Sequence, residues 1–172
     1  MLYSCIFQPT PIGPVRLISD EHYIIRLDFY KDSSLEGNED IVKYLTINYG
    51  TDKMSDTCPP ILEAAKQQLT EYFAGKRKIF DLPLQLHGTE FQRKCWQALA
   101  EIPYGETRSY RQQAEAIGNP KAFRAVGQSN HKNPIAIIVP CHRVIGADGG
   151  LCGFGGGLDM KQKLIALEQM YR

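Results

Sequence analysis

Ser109-Tyr110-Arg111-Gln112-Gln113-Ala114-Glu115-Ala116-Ile117-Gly118-Asn119-Pro120-Lys121-Ala122-Phe123-Arg124-Ala125-Val126-Gly127-Gln128-Ser129 is the stretch on which the fold turns. Ser109 followed three residues later by Gln112 is a capping box, so a helix opens here and runs through Tyr110, Ala114 and Ile117. Gly118-Asn119-Pro120 breaks it, because proline lacks an N–H and disfavours helix at the residue before it. A second helix then runs through Ala122, Ala125, Val126 and Ser129. Two short helices about a glycine-containing turn form the helix-turn-helix arrangement, whose second helix approaches DNA. The same spacing also suits an ordinary helical core. Arg124 lies on that second helix among Ala122, Ala125 and Gly127, small residues that let a backbone come close to a partner.

Upstream, Thr89-x-x-Gln92 is another capping box, opening a helix with Phe91, Cys95, Trp96, Leu99 and Ile102 on one face. Pro103-Tyr104-Gly105 stops it. Downstream stands Ile137-Ile138-Val139-Pro140-Cys141-His142-Arg143-Val144. The β-branched run predicts a short buried strand over Ile137–Val139, ended by Pro140, which cannot donate to a ladder. Cys141 would then sit at a strand exit beside His142 and Arg143, groups able to stabilise a thiolate. A free thiol titrates near pH ~8.5, and such neighbours lower that value and make a nucleophile. Most lone core cysteines are inert packing; the proline, histidine and arginine flanking this one favour reactivity.

The first half reads differently. Leu2–Phe7, Val15–Ile18 and Ile24–Phe29 predict short antiparallel strands, separated by Pro9-Thr10-Pro11-Ile12-Gly13-Pro14 and Ser19-Asp20-Glu21-His22. Ser33–Glu39 reads as a polar loop. Residues 40–49 and 60–74 read as helices, the second with Ile61, Ala64, Ala65, Leu69 and Phe73 near a 3.6 period and Gly75 as its stop. Nothing in this half assembles a site, so it is expected to be a scaffold. Asp81–Gly88 is a linker.

The chain has 172 residues, enough for a sizeable core. No apolar run has membrane-spanning length and no signal peptide is visible, so the expected compartment is the cytoplasm. Five scattered cysteines without a C-x-x-C pair argue for reduced thiols and against a finger or ribbon zinc site, although Cys5, His22 and His87 could in principle converge. Residues 1–87 carry 9 Lys/Arg against 12 Asp/Glu, and residues 88–172 carry 11 against 7. A basic second half weakly suggests a polyanion partner.

Pro140-Cys141-His142-Arg143-Val144 resembles the active-site signature of the O6-alkylguanine-DNA alkyltransferases, the methylated-DNA–protein-cysteine methyltransferases. The resemblance extends over roughly residues 89–170. It takes in Ile102-Pro103-Tyr104-Gly105-Glu106, Ser109-Tyr110, Gly118-Asn119-Pro120-Lys121-Ala122, Arg124-Ala125-Val126-Gly127, Asn133-Pro134, Gly156-Gly157-Leu158 and Glu168. Thr10-Pro11-Ile12-Gly13 and Tyr72-Phe73-Ala74-Gly75 resemble the family more loosely.

The resemblance implies an α+β fold. Residues 1–83 would form a ribonuclease H-like domain with a small antiparallel sheet and helices, and residues 84–172 a mostly helical winged helix-turn-helix domain carrying DNA and the site. It implies a protein that flips O6-alkylguanine, and also O4-alkylthymine, from duplex DNA and moves the alkyl group once, irreversibly, onto Cys141. His142 would act as base through a water, with Glu168 orienting it. Glu168 lies four residues after Leu164, so it can face inward. Tyr110 would donate to the flipped base, Arg124 would fill the emptied stack, and Asn133 would fix the turn before the cysteine. Pro140, Arg143 and Val144 of the signature, with Phe154, Gly155 and Gly156, would complete the substrate and DNA contacts. Phe154 replaces a common tyrosine and Gly155 a common hydroxyl residue, which bears on alkyl-group preference. No cofactor, metal or membrane is implied, and a monomer is expected. A cysteine hydrolase would share the Cys–His–acid set but would turn over; a non-catalytic lesion binder would lack the cysteine.

Overall fold

The computed structural model describes residues 1–30, 39–151 and 157–172. Three strands, β1 (Leu2–Phe7), β2 (Val15–Ser19) and β3 (Ile24–Phe29), pair antiparallel in the order expected. Helix α1 (Glu39–Tyr49) follows, then β4 (Met54–Ser55) and α2 (Pro60–Phe73). β4 pairs parallel with β1, giving the order β3-β2-β1-β4, so the sheet is mixed and not purely antiparallel. Two residues carry too little alternation to announce a strand, which is why this one is silent in the sequence. The loop expected over Ser33–Glu39 falls on residues 31–38, outside the described residues, and Glu39 already belongs to α1.

Alternation along β2 decides the layering, and a bulge opposite Ile18 and Ser19 shifts the faces of β3. Val15, Leu17, Ile24 and Leu27 face α2 and the second half, whereas Ile18 and Ile25 pack with Leu2, Ile41 and Leu45 under α1. The buried stripe of α2 is Leu62, Ala65, Leu69 and Tyr72: Ala65 and Leu69 are buried as expected, while Leu62 and Tyr72 take the fully buried places expected of Ile61 and Phe73, which are only partly buried. Tyr72 thereby points inward.

The second half is helical: α3 (Glu90–Ala100), α4 (Tyr110–Ala116), α5 (Phe123–His131) and α6 (Leu158–Met170), with β5 (Arg108–Ser109) paired parallel to β6 (Val144–Ile145). Both expected capping boxes are formed, Thr89 with Gln92 and Ser109 with Gln112. A buried amide pair locks α4 to α5: Gln113 Nε2 donates to Asn130 Oδ1 at 2.9 Å and Asn130 Nδ2 to Gln113 Oε1 at 2.7 Å. Trp96 Nε1 donates to Ser129 O at 2.8 Å and ties α3 to the same unit.

The two halves share one core, running from Leu17, Leu62 and Tyr72 through Trp96 and Leu99 to Ile135, Cys141 and Leu164. The free edge of β3 is covered twice. Ile24 N–H donates to Pro83 O at 2.9 Å, and Leu27 N–H to Pro134 O at 3.0 Å. The sheet of the first half therefore holds the segment that leads into Cys141.

Candidate active site

Cys141, His142 and Arg143 form a single 3₁₀ turn. The strand expected over Ile137–Val139 is not there. Ile137 and Val139 are buried and Ile138 is half-buried, but the three residues make a tight turn in which Ile137 has φ 70°. A β-branched residue in the left-handed region is strained and persists only where its surroundings over-determine it. Asn133 supplies much of that constraint: its Oδ1 accepts from Ile135 N–H at 3.0 Å and its Nδ2 donates to Val139 O at 2.7 Å. Periodicity reads burial from such a run but cannot see a side chain replacing a ladder partner.

Behind the cysteine lies a buried charge cluster. Helix α6 presents Lys161, Leu164 and Glu168 on one face, at spacings of three and four residues. Glu168 Oε2 lies 2.5 Å from His142 Nε2 and accepts from Tyr72 OH at 2.6 Å. Arg143 clasps the carboxylate with Nε at 2.7 Å from Oε1 and Nη2 at 3.1 Å from Oε2, and its Nη1 donates to Ile102 O at 2.7 Å. Gly105 N–H reaches Oε1 at 3.2 Å, in a turn where Gly105 has φ 77°.

Burial alone would raise the Glu168 carboxyl, but the bonds and charges of His142 and Arg143 hold it well below the usual carboxylate range. An ionised carboxylate only accepts, so His142 Nε2 carries the proton and Nδ1 holds the lone pair. Nδ1 is buried and has no hydrogen-bond partner among the described residues. Burial pulls the His142 pKa below its ordinary 6.5; Glu168 opposes this, while Arg143 and Lys161 reinforce it. Arg143 already neutralises the carboxylate, so a third cation here is unfavourable and the imidazole rests neutral. Burial likewise pushes the Cys141 thiol up, with the Asn133 hydrogen bond and the Lys161 charge pulling it back. The resting site is thus a thiol beside a neutral base rather than a preformed thiolate.

The unfolded chain binds a proton at His142 where the native chain does not, so this residue's contribution to stability is intact above pH ~6.5 and declines as pH falls below it. The slope is at most about 1.4 kcal/mol per pH unit for one proton. Urea midpoints at pH 7.5 and 5.5 should therefore separate more for the native protein than for His142→Gln. Equal separations would show that the imidazole is charged in the folded state.

The expected residues are placed as follows. Cys141, His142, Glu168, Asn133 and Pro140 converge. Tyr110 opens α4, with Lys161 Nζ at 3.4 Å from its hydroxyl and its ring against Gly127 of α5. Arg124 is exposed on α5. Arg143, expected among the DNA contacts, has its guanidinium turned inward onto Glu168, and the Val144 side chain is in the core. Phe154, Gly155 and Gly156 lie outside the described residues. Two participants are missed by the sequence reading. Lys161 is 1% exposed and could be found from its spacing to Leu164 and Glu168. Tyr72 brings the first half into the site, correcting the expectation that it contributes none; no local pattern marks it. No group of three or more metal-ligating side chains exists among the described residues.

Residues 1–86 match the family model of the 6-O-methylguanine DNA methyltransferase ribonuclease-like domain, and residues 90–170 that of the DNA binding domain. The methylated-DNA–protein-cysteine methyltransferase of Methanosarcina acetivorans is 46% identical over 175 residues, covering 97% of this chain and 98% of its own. The structure of Mycobacterium tuberculosis O6-methylguanine methyltransferase matches with TM-score 0.83 and 41% identity, over 100% of this chain and 95% of that one. The Mycobacterium tuberculosis relative in complex with DNA matches with TM-score 0.83 and 41% identity, over 98% and 94%. With both halves matching the family's two domain models, and its signature cysteine, buried histidine–glutamate pair and helix-turn-helix in one chain, this chain belongs to the methylated-DNA–protein-cysteine methyltransferase family.

Proposed function

We propose that this protein repairs O6-alkylguanine, and O4-alkylthymine, in duplex DNA by moving the alkyl group irreversibly to Cys141 Sγ, one event per molecule. The observation that carries the reading is the buried His142–Glu168 pair directly following the buried Cys141 in one 3₁₀ turn, with His142 Nδ1 a lone-pair nitrogen that has no partner among the described residues. His142 Nδ1 takes the thiol proton across one bridging water. The Sγ–carbon bond forms as the carbon–O6 bond breaks. Tyr110 donates its phenolic proton to the departing guanine, and the adjacent Lys161 ammonium stabilises the charge that develops on its oxygen. Glu168, fixed by Tyr72 and Arg143, orients the imidazole and stabilises its charged form. Arg143 is thus a positioning residue. Thioether formation leaves no bond that water readily cleaves, so the site is spent.

Residues 84–172 form the DNA-binding and active-site unit on this reading, with residues 1–83 supporting it. Helix α5 docks on the duplex, and the damaged base must be extruded at a cost of a few kcal/mol. Arg124 fills the vacated stack. The protein acts as a monomer in the cytoplasm; support comes from one chain carrying Cys141, His142, Glu168 and Tyr110 together and, among the described residues, from the free thiols of Cys5, Cys58, Cys95 and Cys141. No helix among the described residues is long and apolar enough to cross a membrane.

Limiting protein mixed with excess O6-methylguanine duplex should restore one equivalent of guanine in the duplex per chain and stop. Continued turnover would contradict alkyl transfer and favour a hydrolase. Arg124→Ala should slow repair of the duplex lesion much more than reaction with free O6-benzylguanine, because the free base needs no extrusion. Arg124→Lys controls for lost charge without the planar fork. Equal losses on both substrates would assign Arg124 to the pocket.

A further inference from the structure

Helix α5 buries Val126, Ser129 and Asn130, so by helical periodicity its outward face is Phe123, Arg124, Gln128 and His131. Phe123 is out of place there. It is a large apolar side chain, 36% exposed, at the first position of the helix that faces the partner. It is not turned back toward the core. Two cations hold it instead: the Arg111 guanidinium of α4 lies 5.7 Å from the ring centroid and that of Arg124 lies 6.0 Å away. An exposed ring framed by guanidinium groups joins a stacking surface to charges that seek phosphate. Apolar side chains inserted between base steps, flanked by basic residues, are how minor-groove proteins unstack and kink a duplex.

We propose that Phe123 is a stacking wedge for the DNA duplex. Its ring packs on the base neighbouring the extruded nucleotide, while Arg124 occupies the space left behind. Arg111 and Arg124 keep the ring projecting in the free protein and shift toward phosphate and the unpaired base on docking. Phe123 thereby lowers the cost of opening the stack and adds a positioning residue for the duplex reaction. The inference rests on α5 being the DNA-facing helix.

The test compares wild type with Phe123→Ala, Phe123→Leu and Phe123→Trp in single-turnover transfer from an O6-methylguanine duplex and from free O6-benzylguanine. A third measurement follows 2-aminopurine fluorescence in a duplex carrying that base beside the lesion. The ratio of duplex rate to free-base rate should fall roughly tenfold or more in Phe123→Ala, within the range that base–aromatic stacking supports. Phe123→Leu should fall between Ala and wild type, and Phe123→Trp should retain the ratio. Wild type should change the 2-aminopurine signal and Phe123→Ala should not. An unchanged ratio in Phe123→Ala, or equal losses on both substrates, overturns the proposal. If wild type itself reacts with free base but not with duplex, the reading of α5 as the docking helix has failed, and the wedge with it.

Discussion

Cys141→Ser should abolish alkyl transfer, slowing it by at least about 10⁴-fold, while affinity for duplex DNA stays within a few-fold of wild type. A hydroxyl is far less acidic than a thiol, and the base beside it is a neutral imidazole whose basicity burial has already reduced. The exchange of sulfur for oxygen is nearly isosteric and leaves the Asn133 turn and α5 untouched. Docking and chemistry are therefore separable: helix α5 faces outward, whereas Cys141 is 7% exposed. Single-turnover transfer and a binding titration on the same duplex check both halves of the statement. Transfer within tenfold of wild type would remove Cys141 from the nucleophile's place.

Glu168→Gln should damage stability and rate together. The carboxylate accepts from Tyr72, His142, Arg143 and Gly105, and it is the group that neutralises the Arg143 guanidinium. Leaving that guanidinium buried without its counter-charge costs on the order of 3–5 kcal/mol. Loss of the oriented base should slow transfer by about 10²–10⁴-fold. Tyr72→Phe removes one bond to a charged acceptor, about 1.5–3 kcal/mol, but keeps the Arg143 and His142 contacts, so its rate should fall less. The kinetic deficit of Glu168→Gln should narrow as pH climbs toward the raised pKa of Cys141, because solvent hydroxide then removes the thiol proton. Urea midpoints and a pH–rate profile read the two effects. An unchanged midpoint would show that the cluster is not an ion pair, and a deficit constant with pH would point to distorted packing.

Local signals carry most of the fold in the sequence itself. Short apolar or alternating runs bounded by turn residues place β1, β2 and β3 within a residue, and the two capping boxes fix the starts of α3 and α4. In each case a side chain bonds within three residues or alternates between two faces. What the sequence hides is non-local. Ile137–Val139 is apolar for burial, but its conformation is dictated by the Asn133 amide. Tyr72 is separated from Glu168 by 96 residues and joins the site because the end of α2 buries Tyr72 rather than Phe73. Arg143 next to Cys141 reads equally as a DNA contact or as a buried clamp, and the choice depends on where α6 brings Glu168. Lys161 is within reach of a periodicity argument, three residues before Leu164 on the face that carries Glu168.

The central claim is that one thiol, Cys141, receives the alkyl group. Intact mass followed by peptide mapping, after incubation with a duplex containing a single O6-methylguanine, tests it most directly. A gain of one CH₂ is expected, found wholly on the peptide carrying Cys141 and absent in Cys141→Ser. Repaired DNA with an unmodified protein, or a methyl group on Cys5, Cys58 or Cys95, would contradict it.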